Sequence, residues 1–531
     1  MLTFERLLAR PAAWWAVFLG LCALLVAPLV VADFPPILDY PNHLARLLIL
    51  AQDGRDPVLA RMWQPHWAII PDLGIDLPGP PLVRLLGPFV AGKLLLALAL
   101  LAPMTGAVLY SRAAFRERLY WPFSAALTAY SLVFVLGFMN YLLALGAALA
   151  AGGLWLRLAG RPLFWRGLAG AACACGLFFV HLFGVALYLL LVAAAEWRLL
   201  RARRRGAALP AALLAATAAG PLALWPLSPA SPHAIAYDWS LPEKLFYLAG
   251  PFLSYRALPG LLAGTAFLAA VALWISDRRS GFAPGLLPAA PILLLVYLGV
   301  PFALGGGTFV DARLPPMLAL LASAGIRPSA AHGWRHRAAA AALVLGFVAS
   351  WGSVMRVWGA PNAPAAELRA VIAPVPPGAR VLVAMPPVNL RAPYWRTAPP
   401  AVLALGLLRI DYQLPALLAI DRRAFWPFLF SDPSQHPVRV AAPYAALAVP
   451  QGAPPDLASL VAGRSLDPRW PAPFLRHWRQ DFDYLLLLDA GAVARLPAPL
   501  AAGLEPVDAG HFAALFRVRR PVNATPGEGR P

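Results

Sequence analysis

The sequence predicts a polytopic α-helical membrane protein of about eleven spans, followed by a C-terminal external α/β domain. Three observations predict it. The 531 residues are 60% hydrophobic and only 13% charged, with a mean hydropathy of +0.65, where a soluble domain carries about 25% charged residues. Apolar runs recur through the first two thirds of the chain, many near the roughly 20 residues a helix needs to cross the hydrocarbon layer. The arginines fall in short runs between those stretches. A net charge of +19 is therefore topological: nucleic-acid binding would gather basic residues on one face, whereas alternating Arg-rich and Arg-poor loops mark cytoplasmic and external sides. No nucleic-acid partner is expected.

Taken in order, Arg6 and Arg10 precede the apolar run Pro11 to Ala32. A secretory signal has this shape, but its apolar core is about 7–15 residues, so the longer run is expected to stay as a first span with its N-terminus in the cytoplasm. Residues 33–88, rich in Pro, Trp and Asp, form a long first external loop. Gly92 to Tyr110 returns to Arg112, Arg116 and Arg118. Tyr120 to Leu158 is apolar but broken at Gly137-Phe138-Met139-Asn140, with Arg157, Arg161 and Arg166 beyond it. Cytoplasmic charge at both ends demands an even number of crossings, hence two short helices with an external turn at Asn140. The same logic makes Gly167 to Trp197 a hairpin with its tip near His181. Short arms are tolerated where backbone lines a cavity or is buried in protein, so both tips are expected to face one external cavity.

Ala207 to Leu227 then crosses outward, Ala257 to Ile275 inward, Pro284 to Leu304 outward, Leu314 to Ile326 inward and Ala338 to Val357 outward. This gives a transmembrane module over 1–358, an external α/β domain over 359–520 and a disordered Pro- and Gly-rich tail over 521–531. Strand-like runs at Arg380 to Ala384, Tyr484 to Leu488 and Ala513 to Val518, with a helical stretch at Pro364 to Ile372, define the external domain. Cys22, Cys173 and Cys175 lie inside apolar runs and read as small packing residues, not ligands or bridges.

The stretch DFPPILDYPNHLAR carries the chemistry. Pro41 disfavours helix at Tyr40, so a helix is expected from Pro41 with Tyr40 as its cap. Leu44, Leu47, Leu48 and Ala51 would share one face, and Asn42, His43 and Arg46 the other. Such a helix lies on a membrane surface with its polar side turned to the cavity. Asp39 precedes its N-terminus, where the helix dipole favours the ionised carboxylate. That suits a general base, and equally a residue that merely anchors the helix start.

This layout resembles the GT-C superfamily of integral-membrane glycosyltransferases, of the protein O-mannosyltransferase and aminoarabinose transferase type. The resemblance implies a catalytic acid in the first external loop, followed by a juxtamembrane helix. Asp39 falls on that acidic position and Pro41 to Ala51 on the helix. Many members have an Asp-Glu pair; here Tyr40 stands at the second position, leaving Asp33 as a possible substitute. In DARLPPMLALLASAG, Arg313 matches a basic residue that the family places near the phosphate of a polyprenyl-phosphate sugar. A guanidinium meets such a phosphate bidentately and stabilises it as it leaves.

The resemblance thus implies a hexosyl- or pentosyltransferase in a bacterial inner membrane, with its C-terminal domain in the periplasm. It would move a sugar from a polyprenyl-phosphate donor to a glycan, lipid or protein acceptor, with neither metal nor cofactor. Asp39, Asp33 and His43 are the expected catalytic groups, and Arg313, Arg46 and Lys244 the donor-phosphate contacts. Tyr40, Asn140, His181 and Asp311 are expected to line the cavity.

Other features carry less. Asp481-Phe482-Asp483 is a literal DxD, but it leads into a strand-like run of a domain where nucleotide sugars are not expected. Gly305-Gly306-Gly307-Thr308 lacks the lysine of a phosphate loop, and Asn523-Ala524-Thr525 is a sequon in the tail. Two rival classes stay open. A transporter or flippase would carry ionisable groups mid-span and an internal repeat; a non-catalytic scaffold of the same fold would account for the missing second acid.

Overall fold

A computed structural model describes residues 10–202, 208–230, 238–304, 307–329, 333–450, 452–467 and 471–519. The tail, the sequon and Gly305-Gly306 lie outside them. Among the described residues, six helices are long and apolar enough to cross a membrane, beginning at Pro11, Pro88, Met139, Leu163, Ala257 and Trp334. Three shorter apolar helices, Leu182–Trp197, Ala211–Leu227 and Leu286–Gly299, stand where further spans are expected. The remaining two expected crossings are Leu314–Gly325 and a broken segment, a 3-10 stretch Trp121–Thr128 followed by the single turn Leu132–Leu136. Pro315 and Pro316, at the start of a twelve-residue helix, account for the first of these.

The helices that frame the site are α1 (Pro11–Val31), α2 (Tyr40–Gln52), α3 (Pro88–Phe115), α4 (Met139–Arg157), α5 (Leu163–Val180), α6 (Leu182–Ala202) and α7 (Leu314–Gly325). Close approach between α3 and α4 is made at Gly106 and Gly146, where a side chain in place of either hydrogen would run into the other helix's backbone. Both hairpins have their breaks at the expected tips. Gly137, with φ +95°, ends the short turn before α4, and His181 is the single residue between α5 and α6. On α3, α4 and α5 the Arg-bearing end, marked by Arg112, Arg157 and Arg166, lies opposite the end nearest the tips.

The C-terminal segment forms a four-stranded sheet. Its strands are Val381–Ala384, Tyr484–Leu488, Leu504–Ala509 and Ala513–Val518, in the order first, second, fourth, third. The first pair is parallel and the others antiparallel. Both parallel strands are buried along their whole length, as their unbroken apolar runs require. The helix expected at Pro364 spans Ala363–Val371, started by Asn362, whose side chain accepts from the Ala365 N–H.

This segment is stitched to the first loop. Trp63–Pro65 pairs antiparallel with Val438–Val440. The fully buried Asn42 of α2 donates from Nδ2 to Gln413 Oε1 (2.7 Å) and the Phe428 carbonyl (2.9 Å), and its Oδ1 accepts from the Phe430 N–H (2.8 Å). The helix α2 is consequently enclosed and does not lie on an open membrane surface: its polar face is covered by the C-terminal segment and its apolar face by α3. Tyr40, not Pro41, is its first residue, and Asp39 takes the cap position.

Replacing Asn42 with Ala orphans three buried groups on the covering segment, and each unsatisfied buried group costs about 1–3 kcal/mol. Asn42→Ala is expected to lower the thermal midpoint and to speed proteolytic cleavage in residues 359–519 ahead of the helical module, as read by limited proteolysis of the purified full chain.

Candidate functional site

A cavity of about 120 Å³ lies where the two hairpin tips, the start of α2, the first external loop and the C-terminal segment meet. Its lining includes Asp39, His43, Asp72, Asn140, Tyr141, His181, Arg313, Tyr412, Gln435 and His436.

Asp39 is set by backbone on both sides. Its N–H donates to the Leu136 carbonyl (3.2 Å) and its carbonyl accepts from the His43 N–H (2.9 Å). Although it occupies the cap position of α2, its carboxylate makes no capping hydrogen bond, so the anchoring role is not the one its side chain takes. Gly137 lets the two segments meet: a Cβ there would stand 2.8 Å from Asp39 Cβ, at a backbone angle that favours glycine in any case. Burial raises the Asp39 carboxyl to about 7, with Arg313 and Arg46 opposing the rise.

Asp72 is the residue that sequence reasoning missed. It sits in the first external loop, 39 residues beyond Asp33, in a turn-rich stretch with no pattern of its own. The loop is held by α4: Asn140 Oδ1 accepts from the Ile75 N–H (2.7 Å) and its Nδ2 donates to the Asp72 carbonyl (2.8 Å). The Leu73 N–H donates to the Phe179 carbonyl (2.7 Å). Asp72 Oδ1 is buried without a hydrogen-bond partner. Burial lifts this carboxyl to about 7 as well, against the pull of Asn140, Arg46 and Arg313. The only advance signal was an acidic residue between Pro71 and Leu73 in the right loop.

Arg313 reaches the cavity from the turn before α7. Its guanidinium carbon lies 4.4 Å from the Phe138 ring centroid and 5.7 Å from that of Phe183, and Tyr141 donates its hydroxyl proton to the Arg313 carbonyl. Its Nε is buried without a partner, and it makes no ion pair among the described residues. Burial disfavours its charge, while Asp72 and Asp39 support it. His43 and His181 also line the cavity. His43 Nε2 lies 3.1 Å from the Gly137 carbonyl and therefore carries the proton, which leaves its buried Nδ1 as an acceptor with no partner. It makes no side-chain bond to Asp39. His181 Nδ1 accepts from the Phe183 N–H (3.1 Å).

The remaining expected site residues lie elsewhere. Asp33 is exposed and outside the cavity, because the chain turns between it and Asp39. Arg46 is fully buried in a bidentate pair with Asp76 (2.8 and 3.1 Å), so its charge is already matched. Lys244 and Asp311 were expected at the phosphate and the cavity wall; instead they pair with each other at 2.9 Å, and Lys244 also donates to the Val300 carbonyl (2.7 Å). Tyr40 points away from the cavity into the seam with α3, its hydroxyl near the Phe89 carbonyl (3.4 Å) and its ring beside Phe34. The Asp481-Phe482-Asp483 motif is also remote: Asp483 pairs with Arg380 at 3.1 Å at the start of the sheet.

The arrangement offers two carboxyls poised near neutrality, one guanidinium without an ion pair, and several buried polar atoms awaiting partners. Arg313 can take an anion and Asp39 or Asp72 a proton. A carboxyl raised from 3.8 to about 7 makes the folded state lose stability as pH rises between those values, because the unfolded chain releases that proton first. Asp39→Asn is accordingly expected to raise the thermal midpoint at pH 8 and to change it little at pH 4, checked by thermal unfolding in detergent. Gly137→Ala must displace Asp39 or distort the turn, and is expected to reduce turnover at least tenfold while the fold persists by circular dichroism.

No protein-family model matches the chain, and no curated protein matches it. Among solved structures it is similar to the crystal structure of ArnT from Cupriavidus metallidurans bound to undecaprenyl phosphate. The two share 14% identity over 96% of this chain and 98% of that one, with a TM-score of 0.48.

Proposed function

We propose that the protein is a membrane glycosyltransferase that moves a sugar from a polyprenyl-phosphate donor to an acceptor hydroxyl on the external face of a bacterial inner membrane. The observation that carries this reading is the meeting of Asp39 and Arg313 in one cavity. They come from segments 274 positions apart, neither is tied up in an ion pair among the described residues, and both line the same cavity. The external location follows from charge: the cavity lies at the ends of the helices opposite their arginines, and arginine marks the cytoplasmic side. About eleven spans, with the C-terminal segment in the periplasm, fit that polarity.

The chemistry is a single displacement. The acceptor oxygen bonds to the anomeric carbon as the bond from that carbon to the phosphate oxygen breaks, and the electron pair leaves on the phosphate. Arg313 stabilises the phosphate through charge-assisted hydrogen bonds. Asp39 takes the acceptor's proton; a base with a pKa near the working pH balances availability against strength. Donor binding sharpens this. Arg313 lowers the Asp39 pKa, and the phosphodiester monoanion of a donor bound to Arg313 offsets that pull, so Asp39 becomes the stronger base once the donor is present. Asp72 lines the same cavity and would take the place of the second acid that position 40 lacks, holding a hydroxyl beside the reacting centre, which supports the catalytic reading over a non-catalytic scaffold.

The test is transfer from a radiolabelled polyprenyl-phosphate sugar in proteoliposomes to extracted cell-envelope acceptors. Asp39→Asn is expected to reduce turnover by about 10³-fold with donor binding retained. Arg313→Gln is expected to weaken donor binding, and Asp72→Asn to lower turnover by about 10-fold or more. Full transfer by Asp39→Asn would rule the reading out.

A further inference from the structure

The roof of the cavity is built by the C-terminal segment and has a different character from the wall that carries Arg313. It contains Phe430, Gln435 and His436, set against His43 of α2. His436 stacks on Phe430 with ring centroids 5.3 Å apart and planes 17° apart, and His43 meets the other ring edge-on at 5.8 Å. Three polar atoms here are buried with no partner among the described residues: His43 Nδ1, Gln435 Nε2 and His436 Nδ1. His43 and His436 are both at least nine-tenths buried.

These atoms specify a ligand chemistry. His43 must donate from Nε2 to the Gly137 carbonyl, so its Nδ1 seeks a hydrogen-bond donor. Gln435 Nε2 is a donor and seeks an acceptor. A hydroxyl does both at once, whereas a phosphate only accepts and an ammonium only donates. Burial, together with the positive field of Arg46, holds both imidazoles neutral at ordinary pH, so the roof offers no charge to an anion. Rings that can meet C–H faces, beside neutral groups that exchange hydrogen bonds with hydroxyls, suit a sugar. Leaving a buried polar atom without a partner is costly, so three in one place are accounted for by a partner that arrives with the substrate.

We propose that His43, Phe430, Gln435 and His436 form a subsite for an uncharged, hydroxyl-bearing sugar ring, which the C-terminal segment contributes and which sets sugar specificity. This rests on the transferase reading above. The ring belongs to the donor lipid or to a glycan acceptor, and the two share the chemistry that the roof recognises. Asp39 lines the same cavity and its carbonyl accepts the His43 N–H (2.9 Å), so a ring held at the roof sits near the base.

The experiment uses the full chain in nanodiscs and three probes: polyprenyl monophosphate, polyprenyl-phosphate glucose, and a neutral glucose oligosaccharide free in solution. Binding is read by native mass spectrometry and tryptophan fluorescence. The sugar-bearing lipid is expected to bind at least tenfold more tightly than bare polyprenyl monophosphate if the donor ring occupies the roof. The oligosaccharide is expected to bind on its own if the acceptor does. Gln435→Leu, and His436→Phe in a separate variant, are expected to remove that sugar-dependent increment with binding of bare polyprenyl monophosphate unchanged, which also shows that the fold is retained. Arg313→Gln is expected to weaken both lipids alike. An increment that persists in both roof variants, or its absence from both arms, overturns the subsite. Lipid binding indifferent to Arg313→Gln overturns the transferase reading instead.

Discussion

One interaction ties together the parts around the cavity: burial disfavours the charge of Asp39 just beyond the first helix, and no side chain among the described residues pairs with its carboxylate. Water would return Asp39 to the ordinary carboxylate range, and a salt bridge would hold it below that range. The fold does neither. It withholds helix N–H groups from the side chain, keeps Arg313 close enough to moderate the charge without pairing to it, and covers the cavity with protein. The other cations nearby are matched elsewhere, Arg46 by Asp76 and Lys244 by Asp311. Breaking such a buried pair from one side costs about 3–5 kcal/mol, so these pairs are fixed parts of the wall and leave Arg313 as the group able to meet an anion.

Covering the cavity needs the C-terminal segment. Asn42 is the joint, because one amide satisfies a side chain and two backbone groups across the seam. The short antiparallel pairing of Trp63–Pro65 with Val438–Val440 adds a second tie. A separate charged cluster stabilises the segment itself: buried Arg409 bridges Asp411 and Asp489 and donates to the Pro386 carbonyl, and Tyr394 donates to Asp489 (2.6 Å). Burial raises the Asp489 carboxyl to about 7 there too, yet every group of that cluster has a partner. That separates a structural cluster from the cavity, where partners are missing.

The general course of the chain could be read from its residues. Apolar runs gave most of the helices, because burial in lipid forces backbone hydrogen bonds inside each segment, and arginine placement gave the expected sidedness. The breaks at Gly137 and His181 were equally legible, since cytoplasmic charge on both sides of a long apolar run demands a turn. The strands of the C-terminal sheet showed as short apolar runs. Asp39 stood out because it precedes a helix start just after the first apolar run, whereas Arg313 was marked only by its resemblance to a basic position of the GT-C superfamily.

Tertiary structure decided the rest. Whether a charged residue near the lip is a site or a strut depends on what lies within about 4 Å of it, and sequence does not carry that distance. Arg46, Lys244 and Asp311 look like site residues in one dimension and are paired in three. Tyr40 follows Asp39 directly, yet helix geometry turns it into the seam with α3, so its identity bears on packing and not on the acid pair. The second carboxyl of the cavity, Asp72, comes from a loop position with no periodic signal and is held there by Asn140 across 68 residues. The roof, from Tyr412 to His436, belongs to a segment whose own pattern speaks only of strands and turns. A long-range cavity is specified by the sum of many contacts, and only the folded chain brings those contacts to one place.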